Sequence, residues 1–148
     1  MRARLRSLDP LGWLTILGCA VRVAFVVLEP ANRLAGDEIT WTSWAVGAHE
    51  GLTASQVRFS PFRFELVFYP PLYPYFIGGL FTLCGSLTAV KLAQAVVGAL
   101  LIPALGRLGT TLVGRRAGLV AATIVALYPD LVWYTGHFWS ETLFLTLA

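Results

Sequence analysis

Three stretches of the 148-residue chain run almost without charge: Leu11–Leu28, Leu92–Gly106 and Gly118–Val132. Each reaches about 20 residues once its flanks are admitted, the length an α-helix needs to cross ~30 Å of hydrocarbon. None carries the polar face that a helix on the surface of a water-soluble protein turns to solvent. The pattern predicts spans over Leu11–Leu28, Leu87–Leu108 and Arg116–Tyr134. Pro103 should bend the second, because its missing N–H releases one carbonyl, and Pro129 with Asp130 interrupts the third. Gly106, Gly109 and Gly114 mark the turn between them. Gly136–Glu141 is polar enough to lie at a surface. Beyond it, Thr142–Ala148 begins a further apolar helix that stops after about two turns, so the chain is expected to be the N-terminal portion of a longer protein.

Between the first two spans, Glu29–Tyr69 leaves the apolar pattern without becoming a polar linker. Asp37–His49 predicts a helix: Asp37 is a good N-cap, and Ile39, Trp41, Trp44, Ala45 and Ala48 make an uneven apolar face. Tryptophans on such a face favour the membrane–water interface. Phe59, Phe62, Phe64, Phe68 and Tyr69 then mix with Arg58, Arg63 and Glu65, again in the manner of an interface. Pro70 and Pro71 end that segment, and the next apolar run, Leu72–Cys84, is short for a crossing. Either it spans by thinning the bilayer, with Lys91 inside and Arg107, Arg115 and Arg116 outside, or it is interfacial and Leu87–Leu108 makes the second crossing, with the three arginines inside. The positive-inside bias favours the second arrangement.

Composition sharpens the class. Hydrophobic residues make up 57% and charged residues 13%, about half the charge of an ordinary soluble domain. Mean hydropathy is +0.71. The sequence therefore reads as an all-α membrane protein with polytopic transmembrane helices and interfacial helices in the first outer loop. Arg2, Arg4 and Arg6 resemble the start of a signal peptide, yet the apolar run continues to Glu29 and Pro30 without a small-residue cleavage site, so it is a retained helix with a cytoplasmic N-terminus. Arg22 inside that helix must snorkel or find a partner. The net charge of +3 comes from scattered arginines, which fit topology and anionic headgroups better than nucleic acid, where a dense basic stripe with aromatics would be expected. Cys19 and Cys84 lie in or beside apolar helix and give no disulfide framework. Compact loops and the arginine-rich start point to a bacterial inner membrane.

The candidate chemistry gathers at the predicted outer side. Asp37 and Glu38, adjacent carboxylates just past the first span, can hold a divalent cation or supply a general base; the same pair also suits N-capping and the helix dipole. Arg33, Arg58, Arg63 and Lys91 could surround a lipid phosphate at headgroup depth. His137 and Glu141, four apart, would share a face of a helix and could form a metal pair, although a third ligand is missing.

Several of these features recur in a set order: an acidic pair after the first span in GDEITW (Asp37, Glu38), the aromatic-rich stretch ending in Tyr69, Pro70, Pro71, Leu72, Tyr73 and Pro74, then Gly85 and Lys91, the turn Gly114, Arg115, Arg116, and finally Pro129 followed by Ser140 and Glu141. In that order the chain resembles the N-terminal part of the C-type-fold membrane glycosyltransferases, the family of protein O-mannosyltransferases and bacterial aminoarabinose and lipopolysaccharide-sugar transferases. The resemblance implies a partial C-type glycosyltransferase fold. It also implies transfer of a sugar from a polyprenyl-phosphate carrier to a hydroxyl of a lipid, glycan or protein acceptor at the outer face, with further helices of the parent chain as partners. Asp37 would then be the general base or a metal-associated carboxylate, and Glu38 a supporting carboxylate. Lys91, where the family more often has arginine, would help hold the carrier phosphate, and Trp41 stands where relatives often have tyrosine. Some relatives use a divalent cation. The competing class is a noncatalytic membrane protein or a transporter, for which broken helices with polar groups at the midplane would be expected.

Overall fold

A computed structural model describes residues 9–29, 34, 36–49 and 72–148. Arg2, Arg4, Arg6, Arg33, Arg58, Arg63 and the aromatic stretch 59–69 lie outside the described residues. Every regular element among the described residues is helical: α1 Pro10–Leu28, α2 Asp37–His49, α3 Leu72–Cys84, α4 Leu87–Ala99, α5 Leu101–Leu112, α6 Arg115–Leu127, α7 Pro129–Gly136 and α8 Glu141–Leu147.

Two of these helices are long and apolar enough to cross a membrane, α1 and the continuous stretch Leu87–Leu112 formed by α4 and α5. The break between α4 and α5 falls at Leu100, whose N–H bonds back to the Val97 carbonyl at 3.0 Å. Pro103 is the cause: it has no N–H for the Ala99 carbonyl, and its ring crowds that same carbonyl. Helices α6 and α7 meet at a 45° bend and make a third apolar passage if counted as one broken span. Pro129, the first residue of α7, produces that bend in the same way. Helix α3, at 13 residues, is about 20 Å long.

Turns between helices follow from backbone chemistry. Gly85, at φ 64°, closes α3, with its N–H on the Phe81 carbonyl at 2.7 Å, and Ser86 then caps α4 by accepting from the Ala89 N–H. Gly114, at φ 125°, turns α5 into α6 in a conformation that a side chain would resist. The two arms of that hairpin pack at backbone distance: a Cβ on Gly109 would lie 3.1 Å from the Gly118 Cα. In an apolar solvent, such small-residue contacts supply the dispersion that holds helices together.

Helix α1 packs against α4, α5, α6 and α7. One apolar cluster (Ala99, Ile102, Ala122, Val125, Ala126) joins α4, α5 and α6 and is covered by Leu11, Leu14 and Cys19 of α1. The second (Trp41, Ala45, Tyr73, Ile77, Val90, Phe138, Leu143) gathers α2, α3, α4, the α7–α8 connection and α8. The chain thus has two ends. Asp9 and Arg115 approach to 3.6 Å at the N-terminal end of α1, and Val26 and Glu29, at its other end, share a cavity with Lys91 and Phe138.

Arg22 neither snorkels nor reaches solvent; it is 1% exposed. Its guanidinium donates to the carbonyls of Val125 at 2.8 Å and Ala126 at 3.1 Å, and to Gly18 of its own helix at 3.0 Å. Val125 is the residue whose carbonyl Pro129 cannot serve. The cation also sits at the C-terminus of α6, where the helix dipole favours it.

Candidate functional site

Helix α4 turns Lys91, Gln94, Ala95 and Gly98 to one face, the i, i+3, i+4, i+7 stripe of a helix. Ala95 and Gly98 keep that face thin, so α7 and α8 approach closely: a Cβ on Gly98 would meet Thr142 and Thr135 methyls at about 3 Å. Lys91 and Gln94 stand at the rim and in the wall of the resulting site.

Gln94 is fully buried and makes three hydrogen bonds. Its Nε2 donates to the carbonyls of Tyr134 at 2.8 Å and His137 at 2.7 Å, and its Oε1 accepts from the Tyr73 hydroxyl at 2.7 Å. It therefore caps the end of α7 and ties it to α3. Burial first, and then the fields of Glu141 and Glu38, push the Tyr73 phenol well above its ordinary value of 10. The phenol stays protonated and donates, which leaves the Gln94 amide one orientation. The ring of Tyr73 meets Trp41 edge to face, with centroids 5.1 Å apart. Replacing Gln94 by Leu, nearly the same volume, orphans two carbonyls and a phenol inside the fold. A loss of about 2 kcal/mol is expected, read as a lower unfolding temperature in detergent, and wild-type stability would refute the capping role.

Glu38 takes an unexpected place. The buried face of α2 is Glu38, Trp41, Thr42 and Ala45, whereas Ile39 of the expected apolar face is 45% exposed. Glu38 Oε1 accepts the backbone N–H of Phe138 at 2.9 Å across a hundred residues. Its carboxylate thus pins the α7–α8 connection, and Phe138, 1% exposed, lies between it and Lys91. The Lys91 ammonium stands 5.1 Å from the Phe138 ring centroid, at cation–π distance. A cavity of about 210 Å³ opens here, walled by Val26, Glu29, Leu34, Thr88, Lys91 and Phe138. Asp37 begins α2 on the exposed side, so the acidic pair diverges: one carboxylate is structural and the other faces outward.

His137 and Glu141 do not share a helix face. His137 caps the end of α7 and Glu141 begins α8, with non-helical residues between them. The His137 ring stacks on Trp133 at 4.0 Å, and its Nδ1 lies 3.0 Å from the Trp133 carbonyl. That carbonyl can only accept, so Nδ1 carries the proton and Nε2 is the free lone pair of the neutral ring. Among the described residues, no three His, Cys, Asp or Glu side chains converge as a metal site would require, and Glu38 Oε1 is occupied. The donor set among the described residues does not fit a cation.

Sequence patterns missed Gln94, Tyr73 and Phe138. Gln94 had a readable signal, an uncharged amide inside an apolar span; Phe138 acts through its backbone and had none. Comparison with protein-family models, with curated proteins and with solved structures finds no match to this chain.

Proposed function

We propose that the chain is the N-terminal part of a multi-pass membrane glycosyltransferase of the bacterial inner membrane. In this reading it transfers a sugar from a polyprenyl-phosphate carrier to an acceptor hydroxyl at the outer face, with the N-terminus cytoplasmic. The observation that carries the reading is the bridge that Phe138 makes between α2 and α4 at one end of α1: its N–H is held by Glu38, its ring lies against Lys91, and Lys91 and Phe138 line one cavity. The opposite end holds Arg107, Arg115 and Arg116, so the charge bias agrees with α3 lying at the interface and α4–α5 crossing.

In the reaction, the acceptor hydroxyl attacks the anomeric carbon while the carrier phosphate leaves. Asp37, exposed at the start of α2, takes the hydroxyl proton, and Lys91 stabilises the charge that grows on the departing phosphate. Glu38 acts as a positioning residue through the Phe138 N–H. Arg58 and Arg63 are further candidates for the carrier phosphate. His137 Nε2, on the α7–α8 connection, and Glu141, at the start of α8, are further candidates for the acceptor.

The test is transfer of labelled sugar from a polyprenyl-phosphate donor by membranes containing the whole protein. Activity is expected, and Lys91→Gln should raise the donor KM by about tenfold, the loss of one charge-assisted contact. No transfer by the wild type with any such donor overturns the proposal. A transporter reading would rest on the broken α6–α7 passage, but the carbonyls freed there are taken by Arg22 and do not line a path.

A further inference from the structure

A cavity larger than the one beside Lys91 opens at the other end of the molecule. About 830 Å³ open between the N-terminal end of α1, the second half of α5 and the start of α6. Its mouth carries Arg107 and Arg115, with Asp9 beside Arg115 at 3.6 Å. Its depth is lined by Leu11, Ile16, Pro103 and Leu119, side chains of the apolar passages themselves. The cleft is therefore amphipathic along the axis of the helices, cationic at the end and oily within.

We infer that this cleft binds an anionic phospholipid, with the headgroup phosphate between Arg107 and Arg115 and an acyl chain along Ile16, Pro103 and Leu119. Three observations favour that occupant. First, two guanidiniums share the mouth with one carboxylate, so it keeps a net positive charge, and the Arg107 guanidinium has no hydrogen-bond or ion-pair partner among the described residues. Second, α6 begins with Arg115 and Arg116 and has no acidic residue in its first turn. That order opposes the helix dipole, and an anion at the mouth relieves it. Third, a free phosphate would use the mouth alone and leave the apolar depth unexplained. Basic pockets between transmembrane helices hold lipid headgroups by this chemistry. The inference depends on α1 and α4–α5 crossing the bilayer, and it does not depend on the transferase reaction at the opposite end.

The experiment is native mass spectrometry of the intact protein in neutral detergent, titrated separately with short-chain phosphatidylglycerol, short-chain phosphatidylcholine and inorganic phosphate. Retained phosphatidylglycerol with little phosphatidylcholine is expected. The exposed pair Arg107→Gln/Arg115→Gln should weaken phosphatidylglycerol retention by roughly thirtyfold, about fivefold for each cation. Arg116→Gln, exposed and outside the cleft, is the control and should change retention less than twofold. Ile16→Trp, which narrows the apolar depth, should also weaken phosphatidylglycerol binding. Equal retention of the two lipids, unchanged retention in the double variant, or an equal loss in Arg116→Gln overturns the inference. So does phosphate binding at this site that Ile16→Trp leaves intact while phosphatidylglycerol fails to bind.

Discussion

Arg22→Met is expected to destabilise the fold by about 3 kcal/mol, since each buried carbonyl left without a donor costs about 1–3 kcal/mol and the removal of a buried cation returns part of that. The reason lies a hundred residues away. Pro129 offers no N–H to the Val125 carbonyl, and the 45° bend at Tyr128 takes the next N–H out of the ladder, freeing Ala126 as well. Both carbonyls are buried among α1, α5 and α6, where water cannot replace a lost donor. Only a guanidinium presents two parallel N–H groups to two adjacent carbonyls, so Arg22→Lys should recover less than half of the loss. Pro129→Ala restores an N–H for Val125 and should lessen the damage of Arg22→Met. Thermal unfolding of the four proteins of this cycle in detergent gives the coupling; additive effects would mean that Arg22 and the break at Pro129 are unrelated.

On the proposed reaction, Asp37→Asn should lower sugar transfer by about 10²–10⁴-fold, the usual contribution of a positioned general base, with the donor KM nearly unchanged. Asp37 is exposed at the first turn of α2, so the amide, which still suits a helix start, should leave expression and unfolding temperature as they are. Glu38→Gln provides the contrast. The amide oxygen can still accept the Phe138 N–H, so most activity should remain, whereas Glu38→Ala releases the α7–α8 connection and should reduce both stability and transfer. Measured rates at saturating donor decide the matter. Undiminished transfer by Asp37→Asn removes it from the role of base, and a Glu38→Gln enzyme as inactive as Asp37→Asn was expected to be would move the proton transfer to Glu38.

The apolar runs and their breakers determine a good deal of this protein without any tertiary knowledge. Long apolar stretches over Leu11–Leu28 and Leu87–Leu108 require helices because an unpaired backbone is intolerable in hydrocarbon. Pro103, Pro129, Gly85 and Gly114 locate the bends and turns because each removes a donor or permits a positive φ. These are local properties, so they are legible in order along the chain.

What the sequence could not decide is which polar group meets which. Arg22 had two readings from its depth in α1, and only the packing of α6 against α1 supplies the freed carbonyls that hold it. His137 and Glu141 lost their common face when the chain left the helix at Gly136. The Asp37–Glu38 pair is symmetrical in sequence, yet α2 rolls Glu38 inward because Trp41 and Ala45 on the same stripe bury against α3. A hydrogen bond spanning residues 38 and 138 leaves no trace in composition or spacing, because its acceptor is a side chain and its donor a backbone N–H that every residue except proline possesses.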